Sequence, residues 1–483
     1  MFANSHGQRP LSSLPLAAGD QWCFRGLIAF LFWLPLPLGS NRSFALAILV
    51  LFSQLLLWGT IWVWRQRLPE LSARLHVFRW PLFFLSCFVA IPWLQCMPLP
   101  LSVLQVISPE TAAVQLGVVD AYRVTLDLQQ TQLYAALSFA YWSVFVVVLV
   151  LVRDHARLDT LAFSLVLSGV FQALLGGFLF SISAEYVIFF NEVTHDRVKG
   201  AFVYHNSMAG YMEICLSVGI GLMLARLGDG VVVHRSWRAR LASFAEFLMS
   251  PAMRLRLLLV IMVIALVLTR SRMGNSAFFA SLLIVGVIGI VLGRRTAGRT
   301  TMLIASLVII DVFVIGTWVG LEKVVDRLEQ TTLVAEAGMS EESVELRQDA
   351  ANHAWDMVRV FPVLGTGAGS FYNTYLRFRT SRSGYFDHAH NDFAEIAADF
   401  GGVGLGILGI FVVLTAGVAL RVLVRRRSSL PRGMAFGCLM TIVALAIHST
   451  VDFNLQIPAN AMTLMVVLAM AWIAHALPSE RVR

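Results

Sequence analysis

Long apolar runs separated by short, mostly basic turns organise this chain. A helix crossing the hydrocarbon core needs about 20 apolar residues. Twelve runs approach that length, at 23–40, 43–64, 80–97, 133–152, 158–180, 207–225, 256–270, 275–293, 301–320, 391–420, 433–450 and 456–475. Pro35 and Pro37 are expected to kink the first, because proline removes an internal hydrogen bond. The one sizeable interruption is 321–390. Within it, Ser340 followed by Glu341 and Glu342 predicts a helix start, a hydroxyl cap with acids in the first turn. That helix should stop near Val360, before Phe361-Pro362. Gly365-Thr366-Gly367-Ala368-Gly369 then reads as a flexible turn. The pattern predicts an all-α polytopic membrane protein with about twelve spans and one large loop containing helix. Its expected parts are N-terminal transmembrane helices over 1–190, a catalytic membrane region over 191–475 that includes loop 321–390, and a tail at 476–483.

Composition agrees with that class. The chain has 483 residues, 58% hydrophobic and 14% charged, whereas a soluble chain is roughly half apolar and a quarter charged. The net charge of +8 does not imply nucleic acid, because the basic residues are scattered through short loops. Their placement sets the topology instead. With the N-terminus inside, 24 of the 37 Lys and Arg fall on inner segments, and seven of the remaining 13 lie in loop 321–390. Long loops weigh little in the positive-inside rule, so both termini are expected in the cytoplasm. The five cysteines, Cys23, Cys87, Cys96, Cys215 and Cys438, show no metal-ligand or paired spacing and read as small core residues. The N-terminal stretch has no cleavage-like site after an apolar run, so the first span is expected to act as an uncleaved anchor.

This topology puts the loops near 98–132, 181–206, 321–390 and 451–455 on the outer side, together with the turn Thr269-Arg270-Ser271-Arg272. The polar residues suited to chemistry therefore share one face. Asp387-His388-Ala389-His390-Asn391-Asp392 is the densest cluster. Ionisable groups at a membrane boundary are costly unless they bind or react. His390 can take a proton from a hydroxyl near neutral pH, while Asp387, His388 and Asp392 could orient it or tune it. Asn391 or Asp392 could equally do no more than cap the next helix. Arg270, Arg272 and Arg347 are candidates for phosphate oxygens, which guanidinium forks bind in pairs; headgroup snorkelling or a solvated helix face is the plainer reading of each. Arg377, Arg379 and Arg382 read as a solvated patch. Lys199 could hold an anion and Asn206 cap a helix. Asp452 could pair with an arginine, hold His390, or only form a turn. Glu213 and Asp311 are intramembrane acids and candidates by position. No P-loop, His-Glu-x-x-His, Gly-x-Ser-x-Gly or Cys-x-x-Cys is present, and Asp311 belongs to no Asp-x-Asp pair. An outward-facing transferase has no nucleotide available, so its donor would be lipid-linked.

These segments, in order, resemble the O-antigen ligase and Wzy polymerase superfamily. The matching pieces are Lys199-Gly200…Asn206; Thr269-Arg270-Ser271-Arg272-Met273-Gly274; Arg347…Trp355…Phe361-Pro362-Val363-Leu364-Gly365-Thr366-Gly367; His388-Ala389-His390-Asn391-Asp392-Phe393…Glu395…Gly401-Gly402-Val403-Gly404; and His448-Ser449-Thr450-Val451-Asp452. The resemblance spans about 195–460. It implies a GT-C-like helical fold in the bacterial inner membrane with a periplasmic loop and site. It implies an undecaprenyl-pyrophosphate-linked glycan donor and, in the ligase branch, a lipid A–core acceptor; in the polymerase branch the acceptor is a growing polysaccharide. By the same resemblance His390 is the catalytic residue, Arg272 and Arg347 hold the pyrophosphate with Arg270 and Lys199 beside them, and His388, Asn391, Asp392, Asn206 and Asp452 support the site. Lys199 stands where many relatives have arginine, which loses the bidentate fork. No cofactor or metal is expected: the arginines are expected to replace a metal in a single inverting displacement. A transporter of small solutes or inorganic carbon is the alternative of another class, kept open by Glu213 and Asp311; it would be expected to show repeats and broken midplane helices.

Overall fold

A computed structural model describes residues 19–184, 197–226, 251–292, 344–380 and 385–478. Sixteen α-helices occur among them, with no strand. In chain order they are α1 Asp20–Trp33, α2 Ser43–Trp64, α3 Leu68–Val77, α4 Arg79–Gln95, α5 Leu101–Ile107, α6 Pro109–Gln115, α7 Leu128–Leu151 and α8 His155–Ser181. Then come α9 His205–Arg226, α10 Pro251–Leu268, α11 Arg272–Leu292, α12 Val344–Val360, α13 Phe371–Tyr375, α14 Asp392–Arg425, α15 Ser429–His448 and α16 Pro458–Ala476. Among the described residues, eight stretches are long and apolar enough to cross a membrane: Ser43–Val77 (α2 with α3), α7, α8, α9, α11, α14, α15 and α16. Helices α1, α4 and α10 occupy three further expected spans but have only 14, 17 and 18 residues. The expected span at 301–320, with Asp311, lies outside the described residues, as do Ser340 and Arg382. The chain is a multi-pass, all-helical membrane protein.

Two expectations need correcting. The first span does not kink through its prolines. Helix α1 ends at Trp33, and Pro35 and Pro37 lead into a 3-10 turn at Leu38–Ser40 with Leu38, Gly39 and Ser40 at positive φ. Two prolines so close remove two donors within three residues and end the helix. Nor is the glycine turn flexible. Helix α12 stops at Val360 as expected, and the following segment is stitched across a break in α14 at Gly401 (φ 68°, ψ −177°). Thr366 N donates to Ala398 O, Gly367 N to Asp399 O, Gly402 N to Pro362 O and Val403 N to Val363 O. A Cβ at Gly401 would overlap the Val363 carbonyl, and one at Gly365 would overlap the Asp399 carbonyl. The glycines are there for close approach of two backbones. Gln95 at the end of α4 completes the knot, donating to Leu364 O and Asp399 O and accepting from Ala368 N.

Helices α9 and α16 form the buried centre, with α15 packed against α9 through small residues. A Cβ on Gly221 would overlap the Gly433 carbonyl, and Gly437 meets Ser217 O in the same way. Close backbone approach is how spanning helices associate where lipid removes the hydrophobic drive. One end of the bundle collects the C-termini of α4, α8, α10 and α15 and the N-termini of α7, α9, α11, α14 and α16. The opposite end holds an ionic lock. Buried Asp20 takes Trp64 Nε1 at 3.2 Å, Arg153 at 2.9 Å and Arg157 at 2.6 Å. Arg74 of α3 donates to the last carbonyls of α7, Leu149 O and Val152 O, both at 2.7 Å. Cys215 and Cys438 are buried, the other three cysteines partly so, and all five are free.

Candidate functional site

The site is built where those termini meet. Asn391 caps α14, its Oδ1 accepting Ala394 N at 3.0 Å, and its amide reaches Thr450 O. The preceding residue, His390, holds φ +49°, a left-handed conformation uncommon for a side-chain-bearing residue and typical of strained functional positions. That twist seats the imidazole 4.9 Å edge-on to Phe453 and 5.4 Å edge-on to Phe386. His390 is 8% exposed, and its Nδ1 is buried with no hydrogen-bond partner among the described residues. His388 stacks on the same Phe453 ring at 4.7 Å. Its Nδ1 meets Glu395 Oε1 at 2.8 Å, while Glu395 Oε2 accepts Ala389 N at 2.7 Å. One buried carboxylate thus fixes the loop between the two histidines.

The two imidazoles are driven apart electrostatically. Burial opposes charging of His388, but Glu395 beside it prevails, helped by Asp387 and Asp392, and its pKa is raised. His390 has no such carboxylate contact. Burial, then the Arg347 guanidinium, against an opposing pull from Asp452 and with a lesser push from His388, bring its pKa down to about 4. His390 is therefore neutral at physiological pH, the form that accepts a proton. Arg347, on α12, is the cation whose field reaches it, and its Nε is buried without a partner among the described residues. An unmet guanidinium donor whose charge reaches an unmet imidazole suits an anionic substrate carrying a hydroxyl partner.

Besides its pull on His388, Asp392 holds a distant turn. Its Oδ2 accepts Ser449 Oγ at 2.6 Å and Leu455 N at 3.0 Å, and its N donates to Ser449 O and Asp452 O. It clamps the 449–455 turn to α14, because two donors from that turn outcompete a distant ring. Asp452, carried by this turn, accepts Asn206 Nδ2 at 2.5 Å and lies 3.9 Å from His448 Nε2. His448 Nδ1 meets Glu213 Oε1 at 2.7 Å, both fully buried. Asn206 thus spends its amide on Asp452 from inside α9, where a helix cap was one expectation.

The remaining cations lie along the same end. Val198 N donates to Leu268 O at 3.1 Å, so the Lys199 segment lies against the turn bearing Arg270 and Arg272. Lys199 is buried and its Nζ donates to Val203 O at 3.2 Å. Arg270 and Arg272 are exposed, and Arg270, like His390, holds a positive φ of 55°. Gly274 just beyond lies against Ala209 and Glu213, linking this turn through the Glu213–His448–Asp452 chain to His390. Arg347 acts on His390 through its charge; Lys199, Arg270 and Arg272 lie on neighbouring segments at the same end. Arg379 stacks on Tyr385 at 3.8 Å, and Arg377 is exposed, which fits the plain reading of that patch. No group of three or more His, Cys, Asp or Glu among the described residues could hold a metal ion.

Residues 257–409 match a family model described as O-antigen ligase. Over that stretch the chain is similar to the O-antigen ligase and Wzy polymerase superfamily. The matched stretch carries Arg270, Arg272, Arg347, His388, His390 and Glu395, and stops short of Lys199, Asn206, His448 and Asp452 on either side. This superfamily is one of membrane glycosyltransferases of the ligase and polymerase type, acting on lipid-linked polysaccharide. A comparison with curated proteins gives no match. Glu395 and Phe453 are the two residues whose roles the sequence reading missed. Glu395 had a usable signal, an acid one turn into an apolar span; Phe453 had none.

Proposed function

We propose that this protein is a periplasmic-facing O-antigen ligase of the bacterial inner membrane. It transfers a glycan from undecaprenyl pyrophosphate to a hydroxyl of lipid A–core. The observation that carries this reading is the pairing of a neutral, buried His390 with the Arg347 guanidinium. The acceptor hydroxyl oxygen attacks the anomeric carbon while its proton passes to His390. The bond from that carbon to the pyrophosphate oxygen breaks, and the electron pair leaves with the pyrophosphate. One displacement inverts the carbon. Arg347, with Arg272, Arg270 and Lys199, meets the charge growing on the leaving group, and fixed cations in a partly dry site do this at little reorganisation cost. Guanidinium charge then supplies what a divalent ion supplies elsewhere, so transfer should persist in chelator.

His388, held by Glu395, sets the field at His390. Asn391 and Asp392 fix the loop, and Asn206 holds Asp452 towards it. The excess of Lys and Arg on inner segments supports a periplasmic site with both termini cytoplasmic. The test is incubation of purified protein with lipid-linked glycan and either lipid A–core or additional donor. Glycan on lipid A–core is the expected product. Lengthening of the lipid-linked chain alone would make the protein a polymerase. Solute uptake in proteoliposomes without glycan transfer would make it a transporter.

A further inference from the structure

We propose that the groove between α8 and α10 seats the isoprenoid chain of the donor, delivering its pyrophosphate to Lys199, Arg270 and Arg272. This rests on the donor assigned above. The groove, about 290 Å³, is lined by Ala173, Leu174, Gly177 and Phe178 from α8 and by Ile261 and Ala265 among others from α10. Val198 and Leu268 also line it, and the bond between Val198 N and Leu268 O joins its two walls. Lys199 is the next residue on one wall, and Arg270 lies two residues beyond Leu268 on the other. Both helices end here, so the trough runs inward from the cationic end of the bundle. From Ala173 to Ser181 it follows nine residues of α8, a rise of about 12 Å. That is an apolar slot under a positive mouth, the complement of a long hydrocarbon bearing a diphosphate.

Gly177 faces open space beside the groove. Gly176 packs against Val198 and Gly200, whereas a Cβ on Gly177 would meet nothing within 4 Å. Protein packing therefore does not explain the small residue at 177. Leu174 and Phe178, 56% and 54% exposed, stand beside the opening. A larger groove between α4 and α7, about 420 Å³ and lined by Ser86, Val89, Trp93, Phe139 and Trp142, shares no wall with the segments carrying Lys199 and Arg270. Moving a hydrocarbon from lipid into protein gains little hydrophobic energy. The slot's contribution is therefore registration: it sets the depth and direction from which the pyrophosphate meets the cations.

Gly177→Leu fills the slot from a position with free space, and Ala173→Phe does so from deeper in the wall. The full-length protein in nanodiscs is titrated with undecaprenyl pyrophosphate and, separately, with inorganic pyrophosphate. The wild type should bind the lipid, and either substitution should weaken that binding about tenfold or more, equivalent to about 1.4 kcal/mol, while inorganic pyrophosphate binds as before. Unchanged lipid binding by both variants, with the wild type binding well, would overturn the groove and leave the donor assignment standing. Equal competition by phosphatidylglycerol would also overturn it, making the slot an ordinary phospholipid site. Failure of the wild type to bind undecaprenyl pyrophosphate would sink the donor assignment itself.

Discussion

Donor binding should raise the basicity of His390, and the structure supplies the terms. The free imidazole is held near a pKa of about 4 by burial first and by Arg347 next. Against an ordinary histidine near 6.5, that gap corresponds to roughly 3 kcal/mol disfavouring the protonated ring. A base so weak takes a proton reluctantly. A pyrophosphate paired with Arg347 would cancel the cation acting on the ring and add negative charge nearby. At an effective dielectric of about 20, a unit charge several ångströms away is worth about 2 kcal/mol, or 1 to 2 pKa units. The sign follows directly. His390 must be neutral to act, so activity is lost as pH falls through its pKa. The profile of kcat/KM reports the free enzyme and that of kcat the donor complex. The acid limb of kcat/KM should therefore lie near pH 4 and that of kcat at least one unit higher. Arg347→Ala should bring the two limbs together by raising the lower one. The assay is initial-rate transfer by purified protein across pH, with stability checked at each pH. Coincident limbs in the wild type, or a kcat/KM limb at or above 6.5, would refute the reasoning.

Glu395→Gln should lower the pKa of His388 below that of a free histidine, because burial remains and the opposing carboxylate is gone; titration of the labelled ring by NMR reads it, and an unchanged value would contradict the pairing. The same variant should cost about 1–3 kcal/mol of stability through imperfect satisfaction of a buried pair, seen as a lower Tm. Gly401→Ala should destabilise by about 2 kcal/mol or more, from its left-handed φ and the Val363 carbonyl, whereas Gly406→Ala, with nothing within 4 Å, should match or exceed the wild-type Tm.

The membrane helices were legible because a long apolar run has one stable answer in lipid, a helix that satisfies its own backbone. Their alternation put His390, Arg270, Arg347 and Asp452 at one end before any coordinates. The stop of α12 at Val360 followed from Pro362. The sequence misled where a local preference met a distant partner. Gly365 to Gly369 read as flexible because glycine is permissive, yet those positions serve contact with α14 at Gly401. Asp392 reads as a residue that could orient or tune His390 or cap the helix; its charge acts on His388, and Ser449 and Leu455 hold its carboxylate to the far turn. Glu395 enters the sequence reading only as part of a matching segment, and only the fold brings His388 back over it. The α1 end at Trp33 shows that two prolines can stop a span where a kink was expected.

The most direct test of the central claim separates binding from turnover at the paired groups. Donor affinity and saturated rate are measured on purified wild type, His390→Ala, Arg347→Lys and Arg347→Ala. His390→Ala should keep donor affinity and lose about 10²- to 10⁴-fold in kcat. Arg347→Ala should lose both affinity and rate, with Arg347→Lys between it and the wild type. Wild-type turnover in His390→Ala, or undiminished donor affinity and rate in Arg347→Ala, would contradict an imidazole base working beside a pyrophosphate-binding arginine.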